Sequence, residues 1–267
     1  MIKPATKILF SELPMERWQS DSLFTRMLVR ALQVPHSFHY PFDSLITISR
    51  MMSPDSSFRI FTWELQIDEN DFRQHGAIQV RTSDGSLKLF PLMDLSDRIV
   101  NQEDTVCSNR TWIGAVYYKI LLRKWQSKSF YTLIGFDAGN IRSSRKIMEV
   151  LHFEDGNPVF GGPFFFVPNN STKPRSQARF IMDYKKDAAP RLNYDAEMDL
   201  IVKEHLVSEN GTPNLKWTLV GDGDYEGFKW SNGKWTYIEK LFDQVTPAGQ
   251  PPVPSPIRRE DGSLIGQ

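Results

Sequence analysis

The sequence predicts a mainly β protein: an antiparallel meander of hairpins with one N-terminal amphipathic helix. Three observations carry this. A helical apolar period occurs once, before residue 35; short alternating runs split by turn residues fill the chain from 41 to about 240; and Asn232-Gly233 sits between two aromatic runs. Three architectures fit: a β-sandwich, a strongly curved sheet, or an irregular propeller-like arrangement.

The helix is expected from about Leu13 to Leu32. Leu23, Phe24, Met27, Leu28, Ala31 and Leu32 recur in adjacent pairs four apart, which makes one apolar stripe. Pro14 suits a first helical turn, and Pro35 stops the chain just past the end. Residues 1–40 therefore form a helical segment packed on a core. The polar face lacks the lysines of a membrane-surface helix.

Residues 41–245 form the β domain. Phe61, Trp63, Leu65 and Ile67 alternate with Thr62, Glu64 and Gln66, so that strand has one buried face. Ile78 and Val80 lead through Ser83-Asp84-Gly85 to Leu87, Leu89 and Leu92, a hairpin pattern. Residues Ile113 to Leu122 and Phe130 to Phe136 are apolar on both faces, as strands covered on both sides are. Ile147 to Phe153 and Val159 to Val167 flank Asp155-Gly156, and Arg179 to Tyr184 is expected to pair with Leu200 to Leu206. Tyr225 to Trp230 and Trp235 to Ile238 flank Asn232-Gly233, two residues that tolerate the positive φ of a type I′ turn. Asn193 to Met198 could supply a brief helical turn. From Thr246 five prolines stand among few apolar residues, so 246–267 is expected to be a proline-rich flexible tail, with one P-x-x-P spacing from Pro251 to Pro254.

Composition excludes several classes. Hydrophobic residues make up 40% and charged residues 24% of the 267, which is globular and not disordered. Lys+Arg and Asp+Glu are 32 each, which argues against a nucleic-acid partner, since that affinity rests on neutralised phosphates. No run reaches the length of a membrane-spanning helix, so no integral membrane segment is expected. The single cysteine, Cys107, permits no intrachain disulfide and no cysteine metal site. Residues 1–10 lack the apolar core of a signal peptide, so the sequence as written reads as cytoplasmic. A start lying upstream would make it periplasmic or exported.

Several stretches in this order resemble a Bacteroidetes-type family of bacterial proteins of unknown function. They are Phe42-Asp43-Ser44-Leu45, the strand Phe58 to Trp63, Lys88 to Leu92, Trp112 to Ile120, Tyr131 to Asp137, Lys146 to Phe153, Asn193-Tyr194-Asp195 and Ile201 to Leu206. The resemblance spans about residues 40 to 240. It implies a β-rich domain and a periplasmic or outer-surface setting, with no activity, cofactor or catalytic residue to carry over.

No motif designates a catalytic residue, a cofactor or a metal. Asp222, Asp224 and Glu226 match the first half of an EF-hand-like loop, but the twelfth position is Gly233 where a bidentate Glu is needed. Asp68-Glu69-Asn70-Asp71 reads as solvated loop charge. His36, His39, His75, His152 and His205 show no metal-ligand spacing with an attached acid, and His152 and His205 fall inside strand patterns. The most specific feature is the aromatic hairpin. Gly227 to Tyr237 resembles one unit of the bacterial cell-wall choline-binding repeats, in which neighbouring hairpins build an aromatic cage. A single copy builds none. Trp217, Tyr225, Trp230, Trp235 and Tyr237 are the candidate ligand-binding residues, while Trp235 is itself expected to anchor the hairpin in the core. The functional expectation is a non-enzymatic binding or structural module of the bacterial cell envelope, with an envelope or glycan ligand. The alternative is a glycan-directed hydrolase using carboxylates brought together from distant strands. A pocket gathering paired carboxylates, one with a raised pKa, favours the enzyme.

Overall fold

The computed structural model describes residues 1–168 and 175–241. Among the described residues strands account for 48% and helices for 16%, in three stacked sheets with no closed barrel. The expected tail at 246–267 lies outside the described residues.

Two helices form the first layer, α1 (Ile2–Phe10) and α2 (Pro14–Leu32). The sequence reading placed one helix here, and α2 matches it to within a residue. Pro14 occupies its first turn. The α1 helix is additional: its buried residues are Pro4, Ala5 and Ile8, while Leu9 and Phe10 face outward. Along α2 the buried line is Phe24, Leu28 and Leu32, and Leu23 lies at the exposed edge. Asp21 is buried and accepts from Trp63 Nε1 at 2.7 Å, while His75 Nδ1 lies 2.8 Å from the same oxygen.

The first sheet is β1 (Ser49–Met52), β2 (Phe58–Gln66), β3 (Phe72–Val80) and β4 (Lys88–Met93), in chain order. Phe61, Trp63 and Leu65 pack on the helices, and Phe58 and Ile60 pack the opposite way, as a period of two requires. The Ser83-Asp84-Gly85 hairpin forms as expected, with Val80 opposite Lys88.

The second sheet holds β5 (Cys107–Ser108), β6 (Val116–Trp125), β7 (Lys128–Asp137), β8 (Ser143–Glu154) and β9 (Asn157–Phe160), with β12 (Arg179–Lys185) also on β8. Its strands β6 and β7 are covered on both sides, as their double-faced apolarity indicated. Tyr131 and Leu133 face the first sheet, while Phe130 and Ile134 face the third. One expected pairing is corrected. Arg179 to Lys185 does not pair with Leu200 to Leu206; it pairs antiparallel with Ser143 to Glu149. The twelve-residue β8 outruns its hairpin partner β9, and β12 fills the edge left beside its first half.

The third sheet is ordered β11-β10-β16-β15-β14-β13, from β10 (Phe165–Val167), β11 (Arg175–Gln177), β13 (Leu192–Asp195), β14 (Leu200–Ser208), β15 (Leu219–Ser231) and β16 (Lys234–Ile238). Of Asn193 to Met198, considered for a helical turn, Asn193 to Asp195 are strand and Ala196 to Met198 lie in the turn that follows. Asn232 (φ 49°) and Gly233 (φ 77°) close the β15–β16 hairpin, with Trp230 directly opposite Trp235. All pairings are antiparallel except β10 with β16 and an isolated bridge between Asp94 and Trp112. The molecule is thus a four-layer stack of helices and three sheets, with an apolar core between each pair of layers.

A buried polar chain crosses the core between the first two sheets. Trp112 Nε1 donates to the Tyr117 hydroxyl at 2.7 Å, Tyr117 donates to Glu149, and Arg179 Nε donates to Glu149 at 3.0 Å. Burial and the Glu149 carboxylate hold the Tyr117 phenol well above its ordinary pKa. Cys107 is buried beside this chain, and burial raises its thiol. It has the character of a core side chain, not of a nucleophile.

Candidate functional site

A concave surface lies where β7 begins and β8 ends. Asp155 (φ 49°) and Gly156 (φ 77°) turn β8 into β9. Phe160 then enters the core, and Gly161 (φ 93°) and Gly162 (φ 139°) bend the chain back. A side chain at Gly161 would meet Ala178 at 3.0 Å, and the backbone conformation of both residues is one that L side chains rarely adopt. The bend carries Phe164 over Phe130, with ring centroids 5.2 Å apart. Trp235 N–H donates to the Phe164 carbonyl at 2.7 Å, which fixes this segment to β16.

The result is a cleft of about 910 Å³. Its walls include Phe130, Tyr131, Phe153 and Phe164, and its polar groups come from Lys128, Ser129, His152, Glu154 and Asp155. Because neighbouring residues on a strand point to opposite faces, Phe130 and Tyr131 line it from the two sides of the second sheet. The cleft therefore wraps around the sheet's end. His152 sits between Phe130 and Phe164, with centroids 5.9 and 5.7 Å away. Its Nε2 lies 3.1 Å from Glu154 Oε1, and its buried Nδ1 has no hydrogen-bond partner among the described residues. With Nε2–H donating to Glu154, Nδ1 is the acceptor nitrogen of the ring. The Tyr131 hydroxyl donates to Asp55 Oδ2 at 2.7 Å. Burial leads in holding that phenol above its ordinary pKa, and Asp55 adds to it. Partial burial pushes the Asp55 carboxyl up, but bonds from Tyr131, Ser57 and Ser53 outweigh it and leave it lowered.

A pair of carboxylates lies elsewhere. Glu64 Oε2 accepts from Gln74 Nε2 at 2.6 Å and from Ala138 N–H at 2.9 Å. Asp137 Oδ1 accepts from Gly139 N–H at 2.8 Å and from the same Gln74 Nε2 at 3.1 Å. Burial raises both acids. Asp137 ends β7, seven residues from Phe130, or roughly 23 Å along an extended strand. The pair lines the seam between two sheets and does not line the aromatic cleft.

Neither a family model, a curated protein nor a solved structure matches this chain.

The five aromatics named from the sequence are not gathered into one platform. Trp235 is wholly buried, and its Nε1 donates to Thr132 Oγ1 at 2.8 Å, so it offers no face to a ligand. Trp230 packs against it at 5.3 Å. Trp217 is 40% exposed and lies under Arg142. Tyr225 lies on β15 opposite Glu204. Tyr237 lines a separate cavity of about 330 Å³ with Lys203, His205 and Glu226. There Lys203 is ion-paired to Glu226, and burial together with Glu226 raises the Tyr237 phenol. Asp222, from the acidic run, lies 2.8 Å from His205 Nδ1. Among the described residues no three His, Cys, Asp or Glu side chains are arranged to hold a metal. The cleft residues carried one weak sequence signal: a Gly-Gly-Pro bend followed by three phenylalanines, Phe164 to Phe166.

Proposed function

We propose that this chain is a non-enzymatic binding module of the bacterial cell envelope that takes a glycan in the aromatic cleft. The cleft itself is the observation that supports it. A pyranose ring has an apolar C–H face and a rim of hydroxyls. Aromatic walls with a few convergent polar groups suit that combination. Phe130, Tyr131, Phe153 and Phe164 supply the walls. His152, Lys128, Ser129 and Asp155 supply the polar rim. The volume accommodates two or three sugar rings, as clefts of this size take drug-sized ligands.

The hydrolase alternative rests on Glu64 and Asp137, whose carboxyls are raised by burial. One oxygen of each, Glu64 Oε2 and Asp137 Oδ1, accepts from a backbone amide and from Gln74, and the pair lies away from the cleft, so the binding reading is preferred. The test is a glycan array probed with labelled protein and with Val106→Arg. Val106 lines the cleft but is 53% exposed, so arginine there blocks the cleft without disturbing the core. The reading expects signal on a related group of glycans that Val106→Arg abolishes. Equal signal from both proteins refutes it.

A further inference from the structure

The segment after α2 and the β1–β2 hairpin enclose a second cavity, of about 480 Å³. Three arginines line it: Arg50, Arg59 and Arg81. We propose that this cavity binds an oxyanion, a phosphate or carboxylate group, carried on a small organic ligand with a flat apolar part.

Arg59 is 4% exposed and has no carboxylate within ion-pair distance among the described residues. Its guanidinium donates to Gln79 Oε1 at 2.8 Å, to the Tyr40 carbonyl at 2.5 Å and to the Ser37 carbonyl at 2.7 Å. All three acceptors are neutral. A guanidinium has five N–H donors, so two are left without a protein acceptor. Buried charge is ordinarily paired, because an unpaired one is costly to desolvate. Here burial alone lowers the Arg59 pKa to about 10, with no acid to counter it. The rings of Phe42, Phe61 and Phe38 lie 4.9, 5.0 and 5.6 Å from the guanidinium carbon and hold it in place.

Arg50 is also short of partners. One terminal nitrogen donates to the Pro41 carbonyl at 2.7 Å and to Asp43 at 3.2 Å, but its Nε is buried with no partner among the described residues. Among the described residues Asp43 is the one acid lining this cavity; its side chain is 81% exposed, and water screens it. Arg81 stands at the rim, shared with an adjoining cavity lined by His36, His39 and Asp55. The Asp55 charge is already engaged by Tyr131, Ser53 and Ser57. Three cations thus face one screened acid within the cavity, and guanidinium forks suit oxyanions through paired N–H donors. Phe38, Tyr40, Phe61 and Met51 line the same space, which exceeds what a bare anion needs and gives an apolar part somewhere to pack.

The test is calorimetric titration at fixed ionic strength with phenyl phosphate, benzoate and inorganic phosphate, using wild type, Arg50→Gln, Arg81→Gln and the surface control Arg26→Gln. Arg81 makes no side-chain hydrogen bond or ion pair among the described residues, so Arg81→Gln is expected to keep the wild-type Tm. The proposal expects phenyl phosphate or benzoate to bind at least tenfold tighter than inorganic phosphate, and the better of the two identifies the oxyanion. It expects Arg50→Gln and Arg81→Gln each to weaken that binding fivefold or more, and Arg26→Gln to leave it unchanged. No binding of either aromatic anion at 10 mM, equal affinity for inorganic phosphate, or equal loss in Arg26→Gln overturns it. The glycan reading of the aromatic cleft is untouched by any of these results.

Discussion

Glu149→Gln should destabilise the fold by about 3–5 kcal/mol, the usual cost of removing one partner of a buried ion pair. Glu149 and Arg179 are 1% and 0% exposed. The variant keeps an amide oxygen for the Tyr117 hydroxyl, so the loss comes mainly from leaving Arg179 charged and uncompensated. The carbonyls of Gln102, Thr105 and Phe160 still accept from the guanidinium, which holds the cost within that range. Against a total stability of about 5–15 kcal/mol, the variant should remain folded but unfold at markedly lower urea. The double variant Glu149→Gln/Arg179→Met removes the stranded charge but orphans those three carbonyls, so it should recover only part of the loss. Urea titration followed by far-UV circular dichroism on wild type, Glu149→Gln, Arg179→Met and the double variant gives the coupling. A single-variant cost under about 1 kcal/mol would refute the view that this pair ties β8 to β12 and to the segment before β5.

Trp235→Ala should cost about 3–5 kcal/mol, as truncation of a buried tryptophan does, while Trp235→Phe should lose only about 1 kcal/mol, the bond to Thr132. Equal effects in denaturant would show that packing there is loose. For pH, a carboxyl whose folded pKa is raised contributes stability that is present below its unfolded value and lost as pH rises through the folded value. Asp137→Asn should therefore improve relative to wild type between pH 4 and pH 7, read as the difference in Tm at each pH. A difference that is flat or falls with pH contradicts the burial cause. Calcium or a chelator should leave Tm unchanged, because Asp222 is bonded to His205 and Glu226 to Lys203, leaving too few oxygens for the ion. A shift of several degrees would count against that.

What the sequence made legible is what repeats with a period. The α2 stripe, the alternation of β2 and the double-faced apolarity of β7 follow from local rules, and Asn232-Gly233 marks its hairpin through φ alone. The α1 helix was hidden because Leu9 and Phe10, its obvious apolar residues, point outward. The partner of β12 was not legible, since pairing 179–185 with 143–149 depends on which sheet edge is free. The stacking of three sheets is similarly non-local. The aromatic cleft joins residues from two strand ends and a glycine bend, and Phe130, His152 and Phe164 look like core residues in sequence. The five aromatics named around the C-terminal hairpin scatter because β15 and β16 turn Trp235 inward while Tyr237 borders a different cavity.

The central claim is tested most directly by locating a bound glycan. Amide NMR shifts recorded on titration with chitotetraose, or with the strongest glycan from the array, report which end of the molecule it occupies. The binding reading predicts shifts concentrated at Phe130, Tyr131, His152, Phe153 and Phe164, none at Glu64, Gln74 or Asp137, and an intact sugar at the end of the titration. Shifts centred on Glu64 and Asp137, with cleavage of the sugar, would contradict it.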